Sequence, residues 1–352
     1  MHIGRGEGMV EVVLGDPRSQ NGEDSAALMA QAEMLADRLG RARDAVGRVI
    51  LGQEQVVEQV LTSLVSGGHV LLVGVPGLGK TRLVETLATV LGMDARRVQF
   101  TPDLMPADIL GSEVLEESHE GESRGRRAFR FIRGPVFCQL LMADEINRAS
   151  PRTQSALLQA MQERKVAVAG EVMDLPSPFH VLATQNPIEQ EGTYPLPEAQ
   201  LDRFLMEVEV GYPDAAAERA MLLATTGAAE EKAVAVLSPG ELLAAQALVR
   251  RIPVGEKVLD AILALVRGAR PGPEGGEASR HLAYGPGPRA AQALMLATRA
   301  RALLDGRLSP SLDDVAALCE PVLRHRLALS FAARADGVRL PEVIAALRGG
   351  IG

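Results

Sequence analysis

The chain reads as an α/β domain built on a largely parallel, buried sheet and followed by a smaller helical domain, and three observations predict this. Short apolar runs at 70–74, 97–100, 136–144, 179–184 and 206–210 alternate with helix-compatible segments, notably 81–91 and 152–163. Strands covered by helices on both faces need no polar side, so apolar runs spaced by helices signal a parallel sheet. A glycine-rich turn, 74–81, joins the first run to the helical segment after it. Beyond Pro213 no convincing strand remains, and segments 213–226, 239–251, 256–270, 288–304 and 312–328 carry Ala- and Leu-rich helical periodicity.

Taken in order, residues 1–28 are polar, acidic and glycine-rich and are expected to form a loose arm. Residues 30–49 look helical. Ile50-Leu51-Gly52-Gln53 then introduces an amphipathic helix, 54–66, that leads into the first strand. An insert at 108–135 has an acidic half (Glu113, Glu116, Glu117, Glu120, Glu122) and a basic half (Arg124, Arg126, Arg127, Arg130, Arg133) and reads as a long polar loop. Alternation in Val166-Ala167-Val168 and Val172-Met173, with Ala169-Gly170-Glu171 between, predicts a hairpin at 164–178. The Pro- and Gly-rich segment 271–288 reads as an exposed loop between two helices. The resulting division is an arm at 1–28, an α/β domain at 29–212 and a helical domain at 213–352.

Composition narrows the class. With 352 residues, 47% of them hydrophobic, the chain has room for two domains. No apolar run approaches the roughly 18 residues of a membrane span, and the N-terminus lacks the apolar core of a signal peptide. The two cysteines, Cys138 and Cys319, suggest neither a disulfide framework nor a zinc site, and Cys138 falls in an expected strand. A reducing cytoplasm fits these features. A net charge of −8 argues mildly against a general nucleic-acid binder.

Gly74-Val75-Pro76-Gly77-Leu78-Gly79-Lys80-Thr81 fills every fixed position of the pattern G-x-x-x-x-G-K-[ST], between a strand and a helix as that pattern requires. Glycines at 74, 77 and 79 let the backbone aim several N–H groups at one phosphate, where the positive end of the following helix adds its field. Lys80 is then placed to neutralise the β- and γ-phosphates, and the Thr81 hydroxyl to ligate Mg²⁺. The expected ligand is a nucleoside triphosphate, ATP, with Mg²⁺; the loop alone does not say what use is made of it.

Gln139-Leu140-Leu141-Met142-Ala143-Asp144-Glu145 is an apolar strand ending in two carboxylates. Asp144 is the expected Mg²⁺ partner of Thr81, and Glu145 the base that activates water against the γ-phosphate. A solvated acidic turn is the alternative, and the phosphate-binding pattern upstream argues against it. Ala183-Thr184-Gln185-Asn186-Pro187 closes the fourth strand, and strand ends in such sheets point at the ligand crevice. Asn186 is therefore a candidate for binding the attacking water and the γ-phosphate; a loop-initiating Asn-Pro is the bland alternative.

In this order the motifs resemble those of the AAA+ ATPases, and closely those of the MoxR family. The resemblance runs from about residue 30 to 331. Besides the segments above it rests on Asp144-Glu145-Ile146-Asn147-Arg148-Ala149, on the block 154–164, on Leu196-Pro197-Glu198-Ala199-Gln200-Leu201-Asp202-Arg203-Phe204, and on Val322-Leu323-Arg324-His325-Arg326-Leu327. It implies an AAA+ core with a five-stranded parallel sheet flanked by helices, a small α-helical lid, and a homo-oligomeric ring, usually a hexamer, with ATP held between subunits. Ile50, Gly52 and Gln53 fall in the segment that packs on adenine, and Asn186 on the sensor-one position. Arg203 resembles the arginine finger supplied to a neighbouring subunit, although spacing alone would leave it a solvated arginine. Arg289 falls on the sensor-two position, in the first turn of a helix, where the dipole disfavours a cation unless an anion lies near. The family more often has Gly-Ala-Ser-Pro-Arg-Ala where this chain has Gly285-Pro286-Gly287-Pro288-Arg289-Ala290, so a weaker glycine cap precedes the helix.

The family also implies a protein client, a von Willebrand factor A domain protein among the candidates, and chaperone-like remodelling or assembly driven by ATP hydrolysis. Two other readings remain at this point: a nucleic-acid-stimulated motor of the helicase-related clade, and a nucleotide-gated scaffold with weak hydrolysis.

Overall fold

A computed structural model describes residues 17–117, 127–168, 170–189, 192–227, 231–273 and 275–351. The chain opens on α1 (Pro17–Val49) and α2 (Glu54–Val65), then β1 (Val70–Val73), α3 (Lys80–Val90), β2 (Ala95–Gln99) and α4 (Pro106–Leu110). Next come β3 (Gly111–Glu117), β4 (Arg127–Arg133), β5 (Leu140–Asp144), α5 (Pro151–Glu163), β6 (Lys165–Val168), β7 (Glu171–Asp174), β8 (His180–Gln185), α6 (Glu198–Leu201) and β9 (Met206–Glu209). The remainder is α7 (Ala215–Thr226), α8 (Pro239–Val249), α9 (Glu256–Gly268), β10 (Leu282–Tyr284), α10 (Pro288–Leu304), α11 (Leu312–Leu323), β11 (Ala328–Leu329), α12 (Phe331–Ala335) and α13 (Leu340–Arg348).

β2, β5, β8, β1 and β9 lie in that order in one sheet, every neighbouring pair parallel. Alternate residues of each strand face opposite layers, and both layers are apolar. Val70, Leu72, Leu140, Met142, Leu182, Met206 and Val208 join the core that includes α1, α2 and α3. Leu71, Leu141, Ala143, Val181 and Ala183 join the core beneath α5. The helical domain shares the first of these cores through α8 to α11. Ion pairs reinforce that junction, among them Arg38 with Glu241 at 2.7 Å and Arg301 with Glu58 at 2.8 Å.

Four expectations need correction. The first helix begins at Pro17, inside the segment read as a loose arm; residues 1–16 lie outside the described residues. The insert at 108–135 is not a plain loop: β3 and β4 pair antiparallel from Gly111↔Arg133 to Glu117↔Arg127. Its alternation went unread because charged residues interrupt both strands, while Leu115 still stands directly opposite Phe129. Glu120, Glu122, Arg124 and Arg126 lie outside the described residues. The helical domain also holds two short strands, with Leu282 opposite Leu329, and they anchor the segment expected to be an exposed loop. Cys138 precedes β5 rather than lying in it; it is buried, which pushes its thiol up to about 12. The hairpin expected at 164–178 is present as β6 and β7. Among the described residues no helix is long and apolar enough to cross a membrane.

Candidate active site

The glycine-rich loop leaves β1 beside the ends of both its neighbours. Gly74 donates its N–H to the Gln185 carbonyl at 3.1 Å. A β-carbon on Gly74 would stand 2.5 Å from the Val210 carbonyl oxygen, so only glycine permits this approach. Gly77 and Gly79 turn the loop with φ of +87° and +73°, both facing open space. This leaves a concave run of backbone at the start of α3, the geometry that suits a phosphate chain. The Lys80 ammonium donates to the Gly74 carbonyl at 2.5 Å and the Val75 carbonyl at 2.9 Å. Burial pushes its pKa below the ordinary lysine value, against the pull of the Asp144 and Glu145 carboxylates.

A cavity of about 470 Å³ lies over this loop. Pro76 to Thr81 line one side, and Asp144, Glu145, Thr184 and Asn186 line the other with Arg97 and Gln99. Residues from β2, β5 and β8 thus converge at the same end of the sheet, where strand ends leave backbone free for a ligand. The sequence reading brought Lys80, Thr81, Asp144, Glu145 and Asn186 to one site, and they share one cavity.

The second tier of contacts was not foreseen. Thr184 is buried; its hydroxyl donates to Asp144 Oδ1 at 2.5 Å and accepts the Glu145 N–H at 2.8 Å. Arg97 reaches Asp144 Oδ2 at 2.5 Å, and the Gln99 amide donates to Glu145 Oε2 at 2.8 Å. Arg148 pairs with Glu145 at 3.0 Å and also with Glu189, while the Asn186 amide donates to Glu189 at 3.4 Å. Glu145 itself sits in the left-handed region, φ 55° and ψ 51°, a strained backbone for a non-glycine residue. Thr184 lies in the block 183–187 but reads there as an ordinary strand residue, and Arg97 sits amid charges that look solvated.

The residues of the expected adenine segment border a second, small cavity of about 60 Å³, lined by Ile50, Gln53, Leu78 and Gly79 together with Met221 and Thr225 of α7. Gly52 has φ +72°, and a β-carbon there would lie 2.2 Å from the Ala217 β-carbon. The Gln53 amide donates to the Leu78 carbonyl at 3.0 Å, leaving its own carbonyl oxygen buried without a partner. An unpartnered buried acceptor at this place suits an amino donor such as adenine carries.

Arg203 and Arg289 stand elsewhere. Both line a separate cavity of about 250 Å³ that includes no residue of the glycine-rich loop. As expected, Pro288 opens α10 and Gly287 caps it without a side-chain bond. The anion beside Arg289 in this chain is Asp202, at 3.8 Å. Partial burial, and after it the charge of Arg289, lower the pKa of Arg203, with Glu163 opposing.

The donor set fits a magnesium nucleotide. Among the described residues no cluster of three His, Cys, Asp or Glu side chains could hold a metal alone. One carboxylate, Asp144, and one hydroxyl, Thr81, face the same cavity, a donor set that would suit Mg²⁺ bound together with substrate phosphates.

Residues 69–206 match the ATPase family associated with various cellular activities (AAA), and residues 277–347 match the AAA lid domain. The chain is 44% identical over 308 residues to Chaperone MoxR1 of Mycobacterium tuberculosis, covering 87% of this chain and 79% of that protein. It is 38% identical to YeaC of Bacillus subtilis, over 90% of this chain and 95% of that one. With Protein MoxR of Paracoccus denitrificans it shares 35% identity over 84% of this chain and 91% of the other. A crystal structure from Cytophaga hutchinsonii superposes with a TM-score of 0.82 at 34% identity, covering 94% of this chain and 98% of its own.

Proposed function

The chain belongs to the MoxR family of AAA+ ATPases, with the AAA+ α/β core and helical lid of that family, and from this premise we propose that it hydrolyses ATP to remodel or assemble protein partners. The observation that carries the hydrolytic reading is the meeting of Lys80, Thr81, Asp144, Glu145 and Asn186 around one cavity. In this reading the loop N–H groups and Lys80 bind the phosphates, and Thr81 and Asp144 would hold a Mg²⁺ ion, which would supply screening of the phosphate charge. Glu145 takes the proton of the attacking water, and Asn186 orients that water. The orphaned Gln53 carbonyl accepts from adenine.

Arg203 and Arg289 lie together and apart from the chain's own loop, which supports a ring in which one subunit brings both cations to its neighbour's γ-phosphate. A homo-oligomeric ring, a hexamer by family custom, completes the site. A von Willebrand factor A domain protein as client and a cytoplasmic location belong to the same proposal; the chaperone name of the mycobacterial relative supports protein clients.

Glu145→Gln tests the central step. It should keep ATP affinity and lower turnover by at least about 10²-fold, the range a positioned base contributes. Residual turnover above about a tenth of wild type would remove Glu145 from the role.

A further inference from the structure

The Arg324-His325-Arg326 triplet takes no part in the chemistry above, yet all three side chains grip one segment, 202–209. Arg324 pairs with Glu207 at 3.5 Å and also with Glu209. The His325 Nε2 donates to the Phe204 carbonyl at 3.1 Å. Arg326 is 3% exposed, and its guanidinium donates to Asp202 Oδ1 at 2.7 Å, Leu205 O at 3.1 Å and Phe204 O at 2.8 Å. A fourth bond returns to Val322 O, at 2.5 Å, in α11. The helical domain thereby holds the backbone on both sides of Arg203.

Asp202 links the grip to the second arginine. One of its oxygens is taken by Arg326, and the other lies 3.8 Å from Arg289. Without Arg326, the carboxylate would keep Arg289 as its one charged partner and draw it closer. We propose that Arg326, supported by His325, is the positioning residue for Arg203 and Arg289. It fixes the segment that presents Arg203 and occupies the carboxylate that would otherwise capture Arg289. Five donors in a rigid fork can satisfy a carboxylate and three carbonyls together, which the three donors of a lysine cannot. A buried pair of this kind is seldom the most stable filling for its space, so its value lies in the geometry it imposes.

This inference rests on the reading that Arg203 and Arg289 act on a neighbouring subunit's phosphate, and the test separates the two. Steady-state ATP hydrolysis is measured on the full chain, with thermal unfolding as the check on folding. Arg326→Lys keeps the charge and loses the fork; it should lower kcat at least about tenfold, as displacement of a catalytic group does, with KM within about twofold. In a background carrying both Arg203→Ala and Arg289→Ala the same substitution should lower the residual kcat by less than about twofold, because both of its routes are already cut. Should Arg326→Lys fail to fold, His325→Asn, which loses the Nε2 bond to the Phe204 carbonyl and leaves every charge of the cluster in place, is read by the same criteria. An undiminished kcat, a loss carried by KM, or losses that multiply in the background lacking both arginines would overturn the proposal. Wild-type turnover in Arg203→Ala would overturn the reading of Arg203 and this inference with it. An inactive Arg203→Ala beside a fully active Arg326→Lys would overturn this inference alone.

Discussion

Thr184 on β8 donates its hydroxyl proton to Asp144 on β5 at 2.5 Å, locking two neighbouring strands together at the point where both enter the cavity. The same oxygen takes the Glu145 N–H, so one hydroxyl sets the carboxylate offered to a metal and the strained backbone of the residue after it. Thr184→Val keeps the shape and strands both partners. Leaving buried polar groups unpaired costs about 1–3 kcal/mol, so kcat should fall by roughly 5- to 150-fold with the fold kept, while Thr184→Ser stays near wild type. Wild-type kcat in the valine variant, measured at saturating Mg²⁺ and ATP, would remove Thr184 from the site.

Arg97 holds the second oxygen of Asp144, and a metal at that oxygen must displace it. Arg97 is half exposed, so the pair contributes only about 0.2–1 kcal/mol. Arg97→Ala should therefore lower the Mg²⁺ concentration for half-maximal hydrolysis, by up to about fivefold. A Mg²⁺ titration that moves the other way would show that Arg97 assists the site.

Because Arg203 and Glu145 border different cavities of one chain, they serve one site only across a subunit boundary in the proposed ring. Arg203→Ala should bind ATP normally and hydrolyse it poorly. Mixed with Glu145→Gln protein it should regain part of the activity, since some interfaces then combine an intact Glu145 with an intact Arg203. Absence of rescue at every ratio, with subunit exchange verified by labelled subunits, would exclude supply in trans.

Burial raises the carboxyl of Glu207 from 4.5 to about 7; Arg324 opposes the shift and Glu209 adds to it. A carboxyl raised in the folded state binds its proton more tightly there than in the unfolded chain. Stability is therefore lost as pH climbs from about 4.5 through 7. Glu207→Gln removes that loss. Relative to wild type, the variant should gain about 3 kcal/mol between pH 4.5 and pH 8, read from denaturant unfolding at each pH. A pH-independent difference would place Glu207 in better solvation than its burial implies.

The sheet and the glycine-rich loop were legible because both depend on local residue choice: apolar runs for strands buried on two faces, glycines where the backbone must turn. The partners of the carboxylates were not. Thr184, Arg97 and Gln99 come from other strands, and their roles follow from register, Gln99 lying opposite Asp144 and Ala183 opposite Ala143. The hairpin of β3 and β4 escaped notice because its alternation is carried by few apolar residues among many charges. The β10 and β11 pair escaped for a different reason, since strands of two or three residues hold no period to read. Arg203 and Arg289 illustrate a third limit: an arginine meant for another subunit looks like any surface arginine in its own sequence.

The position of β1 between β8 and β9 has a bearing on synthesis. Val70–Val73 bonds to residues 182–185 on one side and 206–209 on the other, so the strand that bears the glycine-rich loop finds neither neighbour in nearby sequence. A chain emerging from the ribosome carries this apolar strand with both edges open until β8 has left the exit tunnel, and with one edge open until β9 follows. Contacts of such sequence separation form late and slowly. The nascent protein therefore passes through a window in which the same four residues offer a template to any other unpaired strand, and newly made chains are themselves candidates for chaperone capture.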